Sequence, residues 1–468
     1  MTTNRLCAAF ATIVLTACAA GPEYAPPELP TPAVWASASD AFPATPAMAT
    51  WWRSLACPAL DQLVDEALAA NHDLRIAAAR IRQARALAGA ADGANEPQLD
   101  ASTSYTRTRT TEATPSPIGG RSYDTWTLGF DVRWELDLFG RLARETEARS
   151  AEVELAEADR RGIRQSLIAE LVTAYAELHG ARHRRDVAAA SIRAAEELLT
   201  ITRARADSGI GTELDTARAE RLLASARARL PAHEQQWRRN AHRLAVLVGK
   251  SPGELQNSLQ TTPELGAVPD LIATGLPADL VRQRPDVRIA ERRLAAATAR
   301  LGTALADRYP RLSLAGFFGL EADRAGDLFR SSSRAMRAGP SLQVPLFTGG
   351  TVQEQIAVRE AQIDEARAEL EQTVLRAFEE VENGLVGLHQ ERLHLGELDR
   401  AVAAAERARA LAQQRFDAGI DDFLTVLDAE QGRLDLADEQ ASAGTVLVRQ
   451  FAILHKALGS ADRTASPD

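Results

Sequence analysis

The sequence predicts a membrane protein of the α+β class, in which very long coiled-coil helices join a few β-strands that cross a bilayer. Three observations carry this. The chain is written twice, each copy holds one helical stretch of about 65 residues, and each copy holds a strand of alternating apolar and polar side chains. Among 468 residues, 45% are hydrophobic, 25% charged and 5% aromatic, which excludes a disordered chain and a bundle of apolar membrane helices. A formal net charge of −10 argues against nucleic acid as a partner, since phosphate binding needs a basic face. Cys7, Cys18 and Cys57 form neither a disulfide framework nor a C-x-x-C pair.

The N-terminus reads as a signal peptide over residues 1–17. Arg5 precedes an apolar run from Leu6 to Leu15, too short to span a bilayer. It ends in Leu15-Thr16-Ala17-Cys18, which resembles the lipobox of bacterial lipoproteins and makes the Cys18 thiol the lipid attachment point. By resemblance to lipoprotein sorting rules, Ala19 favours the outer membrane. No later segment reaches 18 consecutive apolar residues, so any crossing must use strands. An extended, Pro-rich segment is expected from 18 to 57.

The repeat sets the organisation. Residues 71–99 align with 284–312, pairing Asp73 with Asp286, Arg75 with Arg288, Ile76 with Ile289 and Pro97 with Pro310. Leu138-Phe139 then matches Leu346-Phe347, and Asp207-x-Gly209-Ile210 matches Asp417-x-Gly419-Ile420. The first copy covers 58–250 and the second 277–459, with a Pro/Gly-rich linker at 251–276 and a tail at 460–468. Each begins with a short amphipathic helix (59–92 and 277–307) that stops at a proline. Two strands follow, then a long helix (143–206 and 352–416), a glycine turn and a return helix (212–249 and 421–458). Leu370, Val374, Ala377, Val381, Leu385 and Leu388 recur at spacings of four and three, a coiled-coil seam. At 1.5 Å per residue the long helix reaches roughly 100 Å, and the return and short helices together match its length.

The strands decide the class. In 125–138, Trp126, Leu128, Phe130, Val132, Trp134 and Leu136 share one face, while Thr127, Asp131, Arg133 and Glu135 share the other. The second copy sets Met336, Ala338, Pro340, Leu342, Val344 and Leu346 on the matching face, and weaker strands precede each. A charged opposite face suits a water-filled lumen, and the length suffices for a tilted bilayer crossing. Four strands cannot close a barrel, so several subunits must contribute to one. The hairpin loops (110–122 and 322–334) are expected to face outside.

At this point the chain resembles the outer-membrane factor (TolC-like) family, in its efflux lipoprotein branch. The resemblance rests on Cys18-x-x-Gly21-Pro22-x-Tyr24, on the block 276–314, and on the paired turns at 205–220 and 415–431. It implies a homotrimer with a twelve-stranded outer-membrane barrel that continues into a periplasmic helical coiled-coil barrel. It also implies an exit duct without cofactor or catalytic site, served by a periplasmic adaptor and an inner-membrane, proton-driven pump. Export of secreted proteins is the alternative within the family, and a non-conducting envelope-spanning rod is the alternative outside it. Asp215 and Asp428 fall where the family has acids ringing the closed entrance, with Asp421 and Asp422 nearby. Departures are Thr425, where some relatives have aspartate, and Phe416, where the family often has tyrosine. Asp207, Gly209, Ile210, Asp417, Gly419 and Ile420 form the adaptor-docking turns. Trp126, Phe130 and Trp134 would face outer-membrane lipid.

Other motifs carry no chemistry. Gly249-Lys250-Ser251 lacks the earlier P-loop glycine, since Leu244 stands there, and it follows a helix. His179 and His183 have metal-capable spacing, but Gly180 stands where a zinc protease needs Glu, so exposed helical histidines without a metal are expected. Gly209-x-Gly211 lacks the third glycine of a dinucleotide fingerprint. Cys57 is expected to be a buried lone thiol near a helix start.

Overall fold

Four strands make one antiparallel sheet in the order β1-β2-β3-β4 in the computed structural model: β1 (Gln98–Arg109), β2 (Ser122–Leu136), β3 (Arg311–Ala322) and β4 (Arg334–Gln343). The structure describes residues 19–37, 41–43, 48–113, 120–421 and 423–460, the side chains of Val281 and Arg282 excepted. The predicted signal peptide, Cys18 and Asp422 therefore lie outside the described residues. The helices are α1 (Pro58–Ala70), α2 (His72–Gly93), α3 (Arg141–Asp207), α4 (Glu213–Leu247), α5 (Gln256–Leu259), α6 (Pro277–Gln283), α7 (Pro285–Ala306), α8 (Thr351–Asp417) and α9 (Phe423–Ala457).

The chain divides into two units. One holds residues up to Glu28 with Ala79–Glu157 and Ile289–Glu371, and so contains the sheet. Leu128 stands opposite Thr103 and Leu320, and Phe130 opposite Ala101 and Phe318, so the apolar residues of β2 share a face with Ala101, Phe318 and Leu320 of its neighbours. The strands end sooner than their alternation suggests: β2 at Leu136 and β4 at Gln343. Leu138 turns back to donate to the Leu136 carbonyl, and Pro345 has no N–H for a ladder. Val344 and Leu346 therefore lie beyond the strand.

The N-terminal segment docks within the same unit. Arg144, 5% exposed, donates to the carbonyls of Ala20 and Gly21 at 3.2 Å each, while the Ala20 N–H donates to the Phe139 carbonyl at 2.9 Å. Gly21 has φ +88°, and a Cβ there would stand 2.7 Å from the Gly302 Cα. Tyr24 packs against Ala151, Ala295 and Ala296, with the Arg292 guanidinium 5.3 Å from its ring centre. The Gly-Pro-x-Tyr motif is thus a docking sequence, with glycine required by contact as well as conformation.

The other unit comprises Leu29–Ala78, Ala158–Arg288 and Gln372–Asp468. Each short helix predicted as continuous is two helices. The first breaks at Asn71 (φ −60°, ψ 133°) and the second at Arg284 (φ −69°, ψ 129°), both extended residues. Pro285 forces its predecessor out of helical geometry, and the Asn71 side chain accepts from the Asp73 and Leu74 N–H groups as an N-cap. The segment expected to be extended over 18–57 is interrupted by a 3-10 turn at Trp51–Leu55, which buries Trp51, Trp52 and Leu55. The linker is also partly structured: α5 lies within it, and Leu255, Leu259 and Ile272 are buried.

All six residues of the proposed coiled-coil seam on α8, from Leu370 to Leu388, are buried. No helix among the described residues is long and apolar enough to cross a membrane.

Candidate functional site

The two faces of the sheet differ chemically. Trp126, Phe130 and Trp134 share a face with Leu314, Phe318 and Met336, and Phe130, Phe318 and Met336 are exposed. Tyr105 packs on Trp126 with ring centres 4.6 Å apart, and the Trp134 indole N–H donates to the Asn95 carbonyl at 2.7 Å. The opposite face carries Asp131, Arg133, Glu135, Glu321 and Arg337. The Ser102 hydroxyl donates to Asp131 there at 2.5 Å, and Arg141 grips Glu135 through two 3.0 Å bonds. Among the described residues, β1 and β4 each pair on one side only, leaving both sheet edges open.

The turns between long and return helices are the second candidate. Gly209 and Gly419 both have φ +73°, and the N–H groups of Ile210 and Ile420 return to the carbonyls of Arg205 and Arg415. This geometry exposes the isoleucine after each glycine: Ile210 is 72% and Ile420 65% accessible. Asp207 and Asp417 are exposed beside them.

The acids near these turns are not equivalent. Asp215 forms a capping box with Thr212: its N–H donates to Thr212 Oγ1 at 3.2 Å, and its carboxylate accepts from the Thr212 hydroxyl at 2.7 Å and N–H at 3.3 Å. Asp428 is exposed on α9. Asp421 is gripped by Arg415 through bonds of 2.5 and 2.8 Å, and this guanidinium holds its carboxyl below the usual range.

Phe416, lacking a hydroxyl, packs with Phe423 at 5.3 Å between ring centres, and the Arg205 guanidinium lies 4.8 Å from its ring. Around them Leu198, Leu222, Ala412 and Val426 close a cluster drawn from α3, α4, α8 and α9. Beyond it lies a residue the sequence did not single out. Glu430 on α9 is 2% exposed, and its carboxylate accepts from Arg433 at 2.7 Å and pairs with Arg409 of α8 at 3.2 Å. The i, i+3 spacing to Arg433 was readable, but the partner on α8 was not.

His179 departs from expectation, for only His183 of that pair is exposed. His179 shares a 3.2 Å hydrogen bond with Thr262, packs on Tyr175, and is pushed down to about 4 by burial and then by Arg182. Cys57 is buried as expected, its sulfur 3.3 Å from the Tyr175 hydroxyl, which donates to the Pro263 carbonyl at 2.9 Å.

Comparison with known proteins rests on this geometry. The family model described as outer membrane efflux protein matches residues 63–250 and again 276–460. The chain belongs to that family. It is 32% identical over 460 residues to the solvent efflux pump outer membrane protein SrpC of Pseudomonas putida, covering 96% of this chain and 97% of that protein. It is 27% identical over 453 residues to nodulation protein T of Rhizobium leguminosarum bv. trifolii, covering 96% of each. The solved outer-membrane channel OprN superposes with a TM-score of 0.89 at 37% identity, covering 95% of this chain and 99% of that one. The protein is therefore an outer-membrane efflux channel, and the double match of the family model is the internal repeat seen as homology.

Proposed function

We propose that the chain is the passive outer-membrane duct of a tripartite efflux system for toxic small compounds. Three copies close a twelve-stranded barrel, and energy comes from an inner-membrane, proton-driven pump reached through a periplasmic adaptor. The observation that carries this is the sheet: one apolar face, one charged face and two open edges. In lipid an open edge costs several kcal/mol per unpaired backbone group, so the sheet needs neighbouring copies. Trp126, Phe130 and Trp134 then face lipid, and the charged face lines water. Cys18 carries the acyl chains, and the docked segment from Ala20 to Tyr24 holds that anchor beside its unit.

The turns at Asp207–Ile210 and Asp417–Ile420 dock the adaptor, where the exposed isoleucines offer apolar contact. Asp428 and Asp215 line the closed entrance, where three-fold repetition makes each a ring of like charge that draws cations. Asp421 contributes less, because Arg415 neutralises it; Asp422 is assigned to the same entrance by its position in the sequence. The test is single-channel conductance of the detergent-extracted oligomer in a planar bilayer under a salt gradient. A small cation-preferring current that grows in the Asp215→Ala/Asp428→Ala double variant is expected. Silence of both proteins with a verified trimer overturns the reading.

A further inference from the structure

One side chain breaks the pattern of the charged sheet face. Phe317 stands opposite Asp131 on one side and Arg337 on the other, so its side chain rises on the face that carries the charges. It is nevertheless only 8% exposed. Two glycines make this possible. Gly129 and Gly319 face each other across β2 and β3, and the Phe317 ring lies over their bare backbone. A Cβ on Gly129 would stand 2.7 Å from the ring, and one on Gly319 would stand 2.8 Å from it. Either distance is shorter than side chains tolerate, so glycine at both positions lets the ring sink into the wall.

Above the ring lies Arg337, its guanidinium carbon 4.8 Å from the ring centre. Arg337 Nη1 also donates to Glu321 Oε2 at 2.7 Å. The Arg337 side chain is 63% exposed even so. Stacking and ion pairing restrict a long side chain that would otherwise sample many rotamers. The layers are thus bare backbone, ring and guanidinium, with the charge presented outward in a fixed place.

We infer that Arg337 is a selectivity-determining residue of the barrel lumen, held by Phe317 on its glycine floor, where it meets anionic groups on passing solutes. This rests on the channel reading above, which makes the charged face the pore wall. Phe317 is then a positioning residue, and Glu321 sets how much of the guanidinium charge is felt. In a trimer the arrangement repeats three times at one height of the pore, so a small change per chain is multiplied.

The test is the potassium-to-chloride permeability ratio from reversal potentials of the full-length oligomer, with trimer integrity checked for each variant. Arg337→Gln leaves Glu321 uncompensated, and the ratio should rise at least about twofold. Glu321→Gln should lower it, and the double variant should return near the starting value. Phe317→Ala keeps every charge yet should move the ratio toward the Arg337→Gln value, with Phe317→Tyr restoring it. An unchanged ratio for Arg337→Gln in a conducting trimer overturns the inference. An unchanged ratio for Phe317→Ala removes the positioning role. A wild-type trimer that does not conduct fails the channel reading instead, and the two failures are distinguishable.

Discussion

Asn71 and Arg284 occupy equivalent places in the two halves of the chain, and each donates to the last carbonyl of its return helix. The Asn71 amide reaches the Leu247 carbonyl at 2.9 Å, and the Arg284 guanidinium reaches that of Ala457 at 2.8 Å. Helix C-termini leave carbonyls without partners, so both halves need a donor here. After duplication the donor diverged while the hydrogen bond stayed. Arg284 adds two bonds to Asp286 and one to Glu380, work that Asn71 does not share.

Asn71→Ala should therefore destabilise the protein by about 1–2 kcal/mol, through loss of an N-cap and of a buried donor. Thermal denaturation of the purified oligomer would show a lower midpoint. Asn71→Asp keeps the cap but not the donor, and should fall between the two.

Glu430→Ala should cost more than loss of an exposed pair, on the order of 2 kcal/mol, because it strips a buried carboxylate from Arg409 and Arg433. The loss should concentrate near the turns. Hydrogen exchange of α8 and α9 would show faster opening there than in the sheet.

Asp215→Ala and Asp428→Ala should separate by readout. Removal of Asp215 breaks the capping box and should cost about 1 kcal/mol of local helix stability as well as altering conductance. Asp428, exposed and outside the box, should alter conductance with little thermal change. Equal thermal losses would refute the distinction.

His455 predicts an acid-sensitive stability. It stacks on Trp51 with ring centres 4.9 Å apart, and burial pushes it from its ordinary 6.5 down to about 3. The unfolded chain takes up this proton first, so the stabilising contribution is complete above pH 6.5 and fades as pH falls toward about 3. His455→Phe keeps an aromatic ring against Trp51 and should flatten the acid limb of a midpoint-versus-pH curve over that window.

Asp421 also titrates at the acid end of the scale. Arg415 lowers its carboxyl, so the pair contributes above the ordinary carboxyl value of 3.8 and is lost only as pH drops through the lower folded value. Channel currents that change in mildly acidic buffer should therefore be insensitive to Asp421→Asn.

The fold was readable because its signals are local and periodic. Alternation from Trp126 to Leu136 specifies a strand with two unlike faces, and the spacing from Leu370 to Leu388 specifies a seam. Features that depend on distant partners were not readable. Nothing near Glu430 announces that Arg409 lies against it, and nothing near His455 announces Trp51, some 400 residues earlier. Phe317 shows a third kind of blindness. Its pairing places it on the polar face, but its purpose there depends on two glycines, one in the other half of the chain.

The open edges of the sheet have a genetic consequence. If no copy can complete its own barrel, the unit of fitness is the assembled ring and not the polypeptide. A variant that folds and joins but blocks the path spoils every ring it enters. In a cell making equal amounts of both forms, about one ring in eight escapes. Loss-of-export alleles that keep the sheet intact should therefore be dominant. Alleles that destroy the sheet should be recessive, because their product never joins.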